Sequence, residues 1–170
     1  WNCIVVSNSH HALWLADYGV PDSLTAYIYN STFYSATESA AYNVNGGNVT
    51  VKNCICTNGD ASPDLVSSGT MTLYNSASDD ATAGSFGGTG NRTGQTFSFA
   101  GAGDYHLASG DTGALDYGTD LSADSVIAFS DDIDGENRPE GSGWDIGADE
   151  VATTITCTVV VGGVVGEDRK

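Results

Sequence analysis

The sequence predicts an all-β solenoid, a parallel β-helix in which each coil of a single chain adds one rung to a stack. Two observations predict it. Four similar stretches recur, WNCIVV at 1–6, YNSTFY at 29–34, KNCICT at 52–57 and YNSASD at 74–79, each with Asn before a small Cys or Ser. The residues concerned, Asn2, Asn30, Asn53 and Asn75, are 28, 23 and 22 positions apart, a period in the range of stacked repeat architectures. Between them lie short runs of alternating apolar and polar residues, separated by Gly, Ser, Asn and Asp, which is the pattern of strands joined by turns.

The Asn-bearing strand opens each coil. A second strand follows, ALWLADY at 12–18, SAAYNV at 39–44 and DLVSS at 64–68, after the turn material SNSHH, SATE and TNGDASP. A return strand then leads to the next Asn. Its alternation places Leu24, Ala26 and Ile28, Val49 and Val51, and Met71 and Leu73 on one face. Thr25, Thr50 and Thr72 fall on the other face and are expected to form a vertical row. Coiling supplies the long crossovers that parallel strands need. Asn2, Asn30, Asn53 and Asn75 are expected to form a structural ladder, their amides bonding rung over rung at a tight corner.

The same stacking places Cys3, Ser31, Cys54 and Ser76 in one column. Rungs about 4.8 Å apart put Cys3 and Cys54 roughly 9–10 Å from each other, beyond the roughly 7 Å Cα limit for a disulfide. Cys54 and Cys56 share one strand face. Free thiols packing as small apolar groups are therefore expected.

After position 79 the repeat fades into the Gly-, Ser- and Asp-rich DDATAGSFGGTGNRTG. Further on, DYHLASGDTGALDYGTD is followed by DIDGENRPEGSGWDIGADE. These two phrases resemble the C-terminal end of bacterial and phage right-handed parallel β-helix proteins, through Tyr105, His106, Leu107, Ala114, Leu115, Asp116 and Gly118, then Asp132, Asp134, Gly135, Arg138, Pro139, Asp145, Ile146, Gly147, Ala148 and Glu150. The resemblance implies a right-handed single-stranded coil and a fold-closing role for Asp134, Gly135, Arg138, Asp145, Gly147 and Glu150, without an active site there. Three regions result: coils over 1–78, irregular final coils and the closing motif over 79–150, and a β-rich tail over 151–170 suited to pairing between subunits. Trp1 falls inside the first repeat, so the sequence is expected to begin within a longer protein. The first rung would then meet preceding residues or a partner.

Five Lys and Arg against twenty-two Asp and Glu give a net charge of −17. That balance excludes nucleic acid as a partner, whose phosphates need basic surface, and docking on anionic lipid. No apolar run is long enough to span a bilayer. Polysaccharide lyases on this fold need an Arg or Lys base near carboxylates that hold Ca²⁺, and the few basic residues do not supply one. Lys52 has no acidic cluster at matching positions one rung away, and Arg138 is expected to pair with Asp145 or Asp149. His10 and His11 fall in a turn beside no obvious acid. Nucleophile, phosphate-loop and zinc signatures are absent. No catalytic residue and no cofactor is therefore assigned; Asp131, Asp132 and Asp134 only faintly resemble a Ca²⁺ loop. Tyr29, Tyr74 and Trp14 are candidate exposed aromatics for stacking on sugar or for a subunit interface.

The expected function is a non-enzymatic structural module outside the cell, such as a virion decoration or fibre protein or a surface adhesin, forming homo-oligomers, with a trimer favoured by fold-level analogy. A carbohydrate-active or sugar-binding β-helix is the alternative.

Overall fold

The computed structural model describes residues 1–18 and 24–152. The expected tail at 151–170 lies outside the described residues beyond Ala152. Every strand of the first half belongs to a parallel sheet. In chain order they are β1 (Cys3–Ser7), β2 (Leu13–Ala16), β3 (Thr25–Tyr29), β4 (Ser31–Ser35), β5 (Ala41–Val44), β6 (Asn48–Lys52), β7 (Ile55–Asn58), β8 (Leu65–Ser67), β9 (Thr70–Tyr74) and β10 (Ala77–Ser78). They recur in threes. One sheet has the order β1-β4-β7-β10, a second β2-β5-β8 and a third β3-β6-β9. The protein is thus all-β with parallel sheets; among the described residues no helix is long and apolar enough to cross a membrane.

The apolar columns follow the register. Ala26, Val49 and Met71 stack, as do Ile28, Val51 and Leu73. With Phe33, Ala41, Cys54, Cys56 and Leu65 they form the core between the three sheets. The Thr row needs correction. Thr50 pairs with Thr72, but the residue above Thr50 is Tyr27; Thr25 lies over Asn48 and Thr70. Counted back from the corner Asn, Thr25 is two positions further than Thr50 or Thr72, and a shift of two keeps a side chain on the same face.

The corner explains the repeated Asn. Asn2, Asn30, Asn53 and Asn75 all have left-handed backbone, with φ of 51°, 42°, 52° and 46°. Asn tolerates this region better than other residues with a Cβ. The residue after it is small because it continues the ladder at close quarters: the Cys3 N–H donates to Ser31 Oγ at 3.3 Å and the Cys54 N–H to Ser76 Oγ at 3.1 Å. Each hydroxyl turns back to the carbonyl two residues earlier, Tyr29 and Tyr74.

Cys3, Cys54 and Cys56 are free thiols, Cys3 exposed and the other two buried. Burial pushes the Cys54 thiol up to about 12 and raises Cys56 as well. We expect iodoacetamide to modify Cys3 in the folded protein while Cys54 and Cys56 react only after denaturation, as peptide mass spectrometry would show.

The β-strands differ in burial by sheet. β6 and β9 alternate buried and half-buried positions, whereas β4, β7 and β10 are buried almost throughout. The reason is a second layer. A hairpin, β11 (Phe99–Gly101) and β12 (Asp104–Leu107), and the segment that follows cover the outer face of the first sheet. There Ile55 and Ala77 pack with Leu107, Ala114 and Ile146 in a second core. A third cluster, Tyr29 with Leu121 and Trp144, flanks it.

Candidate functional site

The closing segment is built around Arg138. Its side chain has no exposure and reaches five acceptors within the segment itself. Nε donates to Asp131 O at 3.2 Å; Nη1 donates to Asp145 O at 3.2 Å and to Glu150 Oε2 at 2.9 Å; Nη2 donates to Gly147 O at 3.1 Å and Ala148 O at 2.8 Å. The expected partner was Asp145 or Asp149. The carboxylate that pairs with Arg138 is instead Glu150, because Asp145 is held elsewhere: its Oδ1 accepts the Asp116 N–H at 2.7 Å and its Oδ2 the Val151 N–H at 2.8 Å. Glu150 also accepts from the N–H groups of Glu140 and Asp145, at 3.0 and 2.9 Å. Irregular backbone has no neighbouring strand to receive its N–H groups, so buried carboxylates take that role. Burial raises the Asp145 carboxyl to about 7, against the pull of those two N–H groups. Gly147, at φ 113°, lies where an added Cβ would sit 2.9 Å from both Ile55 Cδ1 and Thr32 Oγ1. Gly135, at φ 83°, turns the chain between Asp134 and Glu136.

This segment docks onto the Asn corners. Gly147 N–H donates to Asn53 O at 2.8 Å and Ala148 N–H to Thr32 Oγ1 at 3.1 Å. The Asn53 amide donates to Thr119 O at 2.7 Å and accepts from Thr119 N–H at 2.9 Å. Asn2 Nδ2 donates to Asp131 O at 3.0 Å, and the Asn30 amide, with its oxygen toward Arg138, accepts from Nη1 and Nε at 3.2 Å. The amides of Asn2, Asn30 and Asn53 therefore receive the closing segment, and of the expected rung-over-rung contacts the amide nitrogens of Asn30 and Asn53 approach to 3.1 Å. At Asn75, residues of the irregular layer take the next position: the Ser76 N–H donates to Asn91 Oδ1 at 3.2 Å, and Ala77 bridges to Arg92. Asn53→Leu would place a branched side chain at φ 52° and strand two half-buried backbone groups of Thr119. We expect a loss of roughly 2–4 kcal/mol in urea denaturation.

The candidate aromatics lie in two places: Tyr29 and Tyr74, in register on either side of Lys52, line one groove, and Trp14 stands on another sheet. Tyr29 is fully buried beneath Leu121 and Trp144 and offers no exposed ring, because the closing segment covers the end of that column. Trp14 is 56% exposed and sits with His11 and Tyr42 on the face of the second sheet. Glu38 lies 3.6 Å from His10 and 3.3 Å from His11, an acid the turn was not expected to have nearby. Tyr74 lines an open groove of about 450 Å³ on the third sheet, with Tyr27, Thr50, Lys52, Asp120 and Val126. There Lys52 forms an ion pair with Asp124 and lies 4.9 Å over the Tyr29 ring. Despite the cost of burial, Lys52 and the N–H groups of Val126 and Ile127 hold Asp124 down to about 2. This acid comes from 72 positions along the chain, which a search of adjacent rungs does not reach.

The carboxylates considered for Ca²⁺ are committed to different partners. Asp132 Oδ1 accepts the N–H groups of Asp134 and Glu136 at 2.9 and 2.8 Å, and Oδ2 that of Glu150 at 3.0 Å. Asp131 receives Asn2. Asp134 turns toward His106, at 3.4 Å. Comparison with family models, curated proteins and solved structures finds no match to this chain.

Proposed function

We propose that the chain is the closing end of a right-handed single-stranded parallel β-helix, acting outside the cell as a non-enzymatic structural module of a virion or cell surface and assembling as a homotrimer. The fold reading is supported by strands recurring in threes with parallel partners three strands along. The observation that carries the functional reading is the use of the buried acids. Asp132, Asp145 and Glu150 accept backbone N–H groups in the closing segment, so the charge that could perform acid–base chemistry holds backbone in place instead. Incubation with acidic and neutral polysaccharides should release neither reducing ends nor unsaturated uronates, and sedimentation should give three times the monomer mass. Steady turnover or a monomer would overturn the proposal.

A second reading is favoured by the groove on the third sheet. Tyr27 is 43% exposed there beside Tyr74, Thr50 and the Lys52–Asp124 pair. Aromatic faces with hydrogen-bonding groups at their edge suit a sugar. Glycan-array binding without turnover, abolished in Tyr27→Ala, would favour this reading.

A further inference from the structure

On the outer layer, at residues that take no part in that groove, three side chains from separate parts of the chain converge. His106 comes from β12, Asp134 from the turn of the closing segment, and Asp149 from its end. Their ligand atoms all lie within 4.8 Å of one another. The segments bearing the two acids are tied side by side, the Ile133 N–H donating to Ala148 O at 3.1 Å.

We propose that His106, Asp134 and Asp149 bind a divalent transition-metal ion of the Zn²⁺ class. Two further features of the geometry point to it. His106 Nδ1 is engaged by Asp104 Oδ1 at 2.6 Å. That bond fixes the ring and presents Nε2 to the other two acids, the carboxylate–histidine–metal arrangement that orients protein ligands. Asp149 is oriented as well, its Oδ2 accepting the Leu107 N–H at 2.7 Å. Nε2 and Asp134 Oδ2 are 3.4 Å apart. A tetrahedron with metal–ligand bonds of about 2.1 Å has an edge of about 3.4 Å, so these two atoms already stand at the separation the ion requires.

The donor set selects the metal. Ca²⁺ takes six to eight oxygens, and Mg²⁺ needs near-ideal octahedral oxygen ligation. An imidazole with two carboxylates suits Zn²⁺ and its neighbours in the transition series. Asp149 is buried, whereas His106 is half-buried and Asp134 exposed, so the fourth position faces outward and would hold water. The ion would join the hairpin to the closing segment. The proposal does not depend on the structural role argued above.

The test is calorimetric titration of the chelator-treated protein with ZnCl₂, CaCl₂ and MgCl₂ at pH 7, with thermal melting in parallel. We expect one equivalent of Zn²⁺ to bind and to raise the melting temperature, with no comparable effect of Ca²⁺ or Mg²⁺. His106→Ala, at a half-buried position, and Asp134→Asn, at an exposed one, should keep the circular dichroism spectrum and lose the Zn²⁺ response. Asp104→Asn should keep the one-to-one stoichiometry and weaken affinity by about 10–100-fold. Zn²⁺ should also shift the ring resonances of His106 among the three histidines. The proposal is overturned if Zn²⁺ binds no more tightly to the wild type than to His106→Ala, or if Ca²⁺ binds as well as Zn²⁺. In either case the three groups are an ion-pair cluster around a protonated imidazole.

Discussion

Arg138→Ala should destabilise the protein by about 3–5 kcal/mol, the range for removing one partner of a buried ion pair. The substitution leaves the Glu150 carboxylate buried and uncompensated, and it orphans the carbonyls of Asp131, Asp145, Gly147 and Ala148. Arg138→Lys should recover little of this. An ammonium is a point charge with three donors, whereas these acceptors are arranged around a planar fork. Combining Arg138→Ala with Glu150→Gln should recover part of the loss, since the stranded charge goes with it. Urea denaturation of the three variants checks this ordering. If Arg138→Ala costs less than about 1 kcal/mol, the Arg138 cluster does not hold the fold closed.

The second large effect is a pH dependence opposite to ordinary acid denaturation. Asp64 is fully buried beside Asp79 and Asp80. Burial, then the neighbouring Asp79 and Asp80 carboxylates, raise it to about 9. Asp145 is raised to about 7, burial being the first cause. For such acids the folded state binds a proton that the unfolded state has released. Their stabilising contribution is complete below about pH 4, the unfolded value, and is lost as pH rises through the folded values. Each group held protonated in this way gives a slope of about 1.4 kcal/mol per pH unit. Asp124, at about 2, and Asp80, also lowered, act in the other direction and lose their contribution only below about pH 4. Self-repulsion at a net charge of −17 adds to the loss at high pH. The melting temperature should fall steadily from about pH 5 to about pH 9, and Asp64→Asn should flatten the upper part of that curve. A melting temperature that rises over this range in the wild type would sink the assignment.

What could be read directly from the residues is what local rules govern. A left-handed corner selects Asn, so four corners were visible as four Asn residues. A period of two sorts a strand's faces, so the Ala26 and Ile28 columns could be read. Register could not be read in the same way. Thr25 and Thr50 satisfy the same alternation although Tyr27, not Thr25, stands over Thr50. The irregular layer has no period at all. Its phrases mark Arg138 and its neighbours as a unit, but they do not say that Glu150 would be the partner or that Trp144 would cover Tyr29. The pairing of Lys52 with Asp124 and the convergence of His106 with Asp134 and Asp149 depend on the path of that layer, which side-chain spacing does not encode.

The contact between Asn2 and Asp131 has a consequence for how the protein folds. The parallel pairings join residues 22 to 28 positions apart, and this contact spans 129. Loop-closure entropy makes the long contact late. The rungs can then assemble one upon another before the final segment crosses them, so most of the stack forms ahead of its own latch. Interactions made that late resist unfolding more than they speed folding. Arg138, its acceptors and the corner amides that meet this segment are thus expected to act on how long the folded state lasts, whereas the left-handed backbone of the corners acts on how readily it is reached.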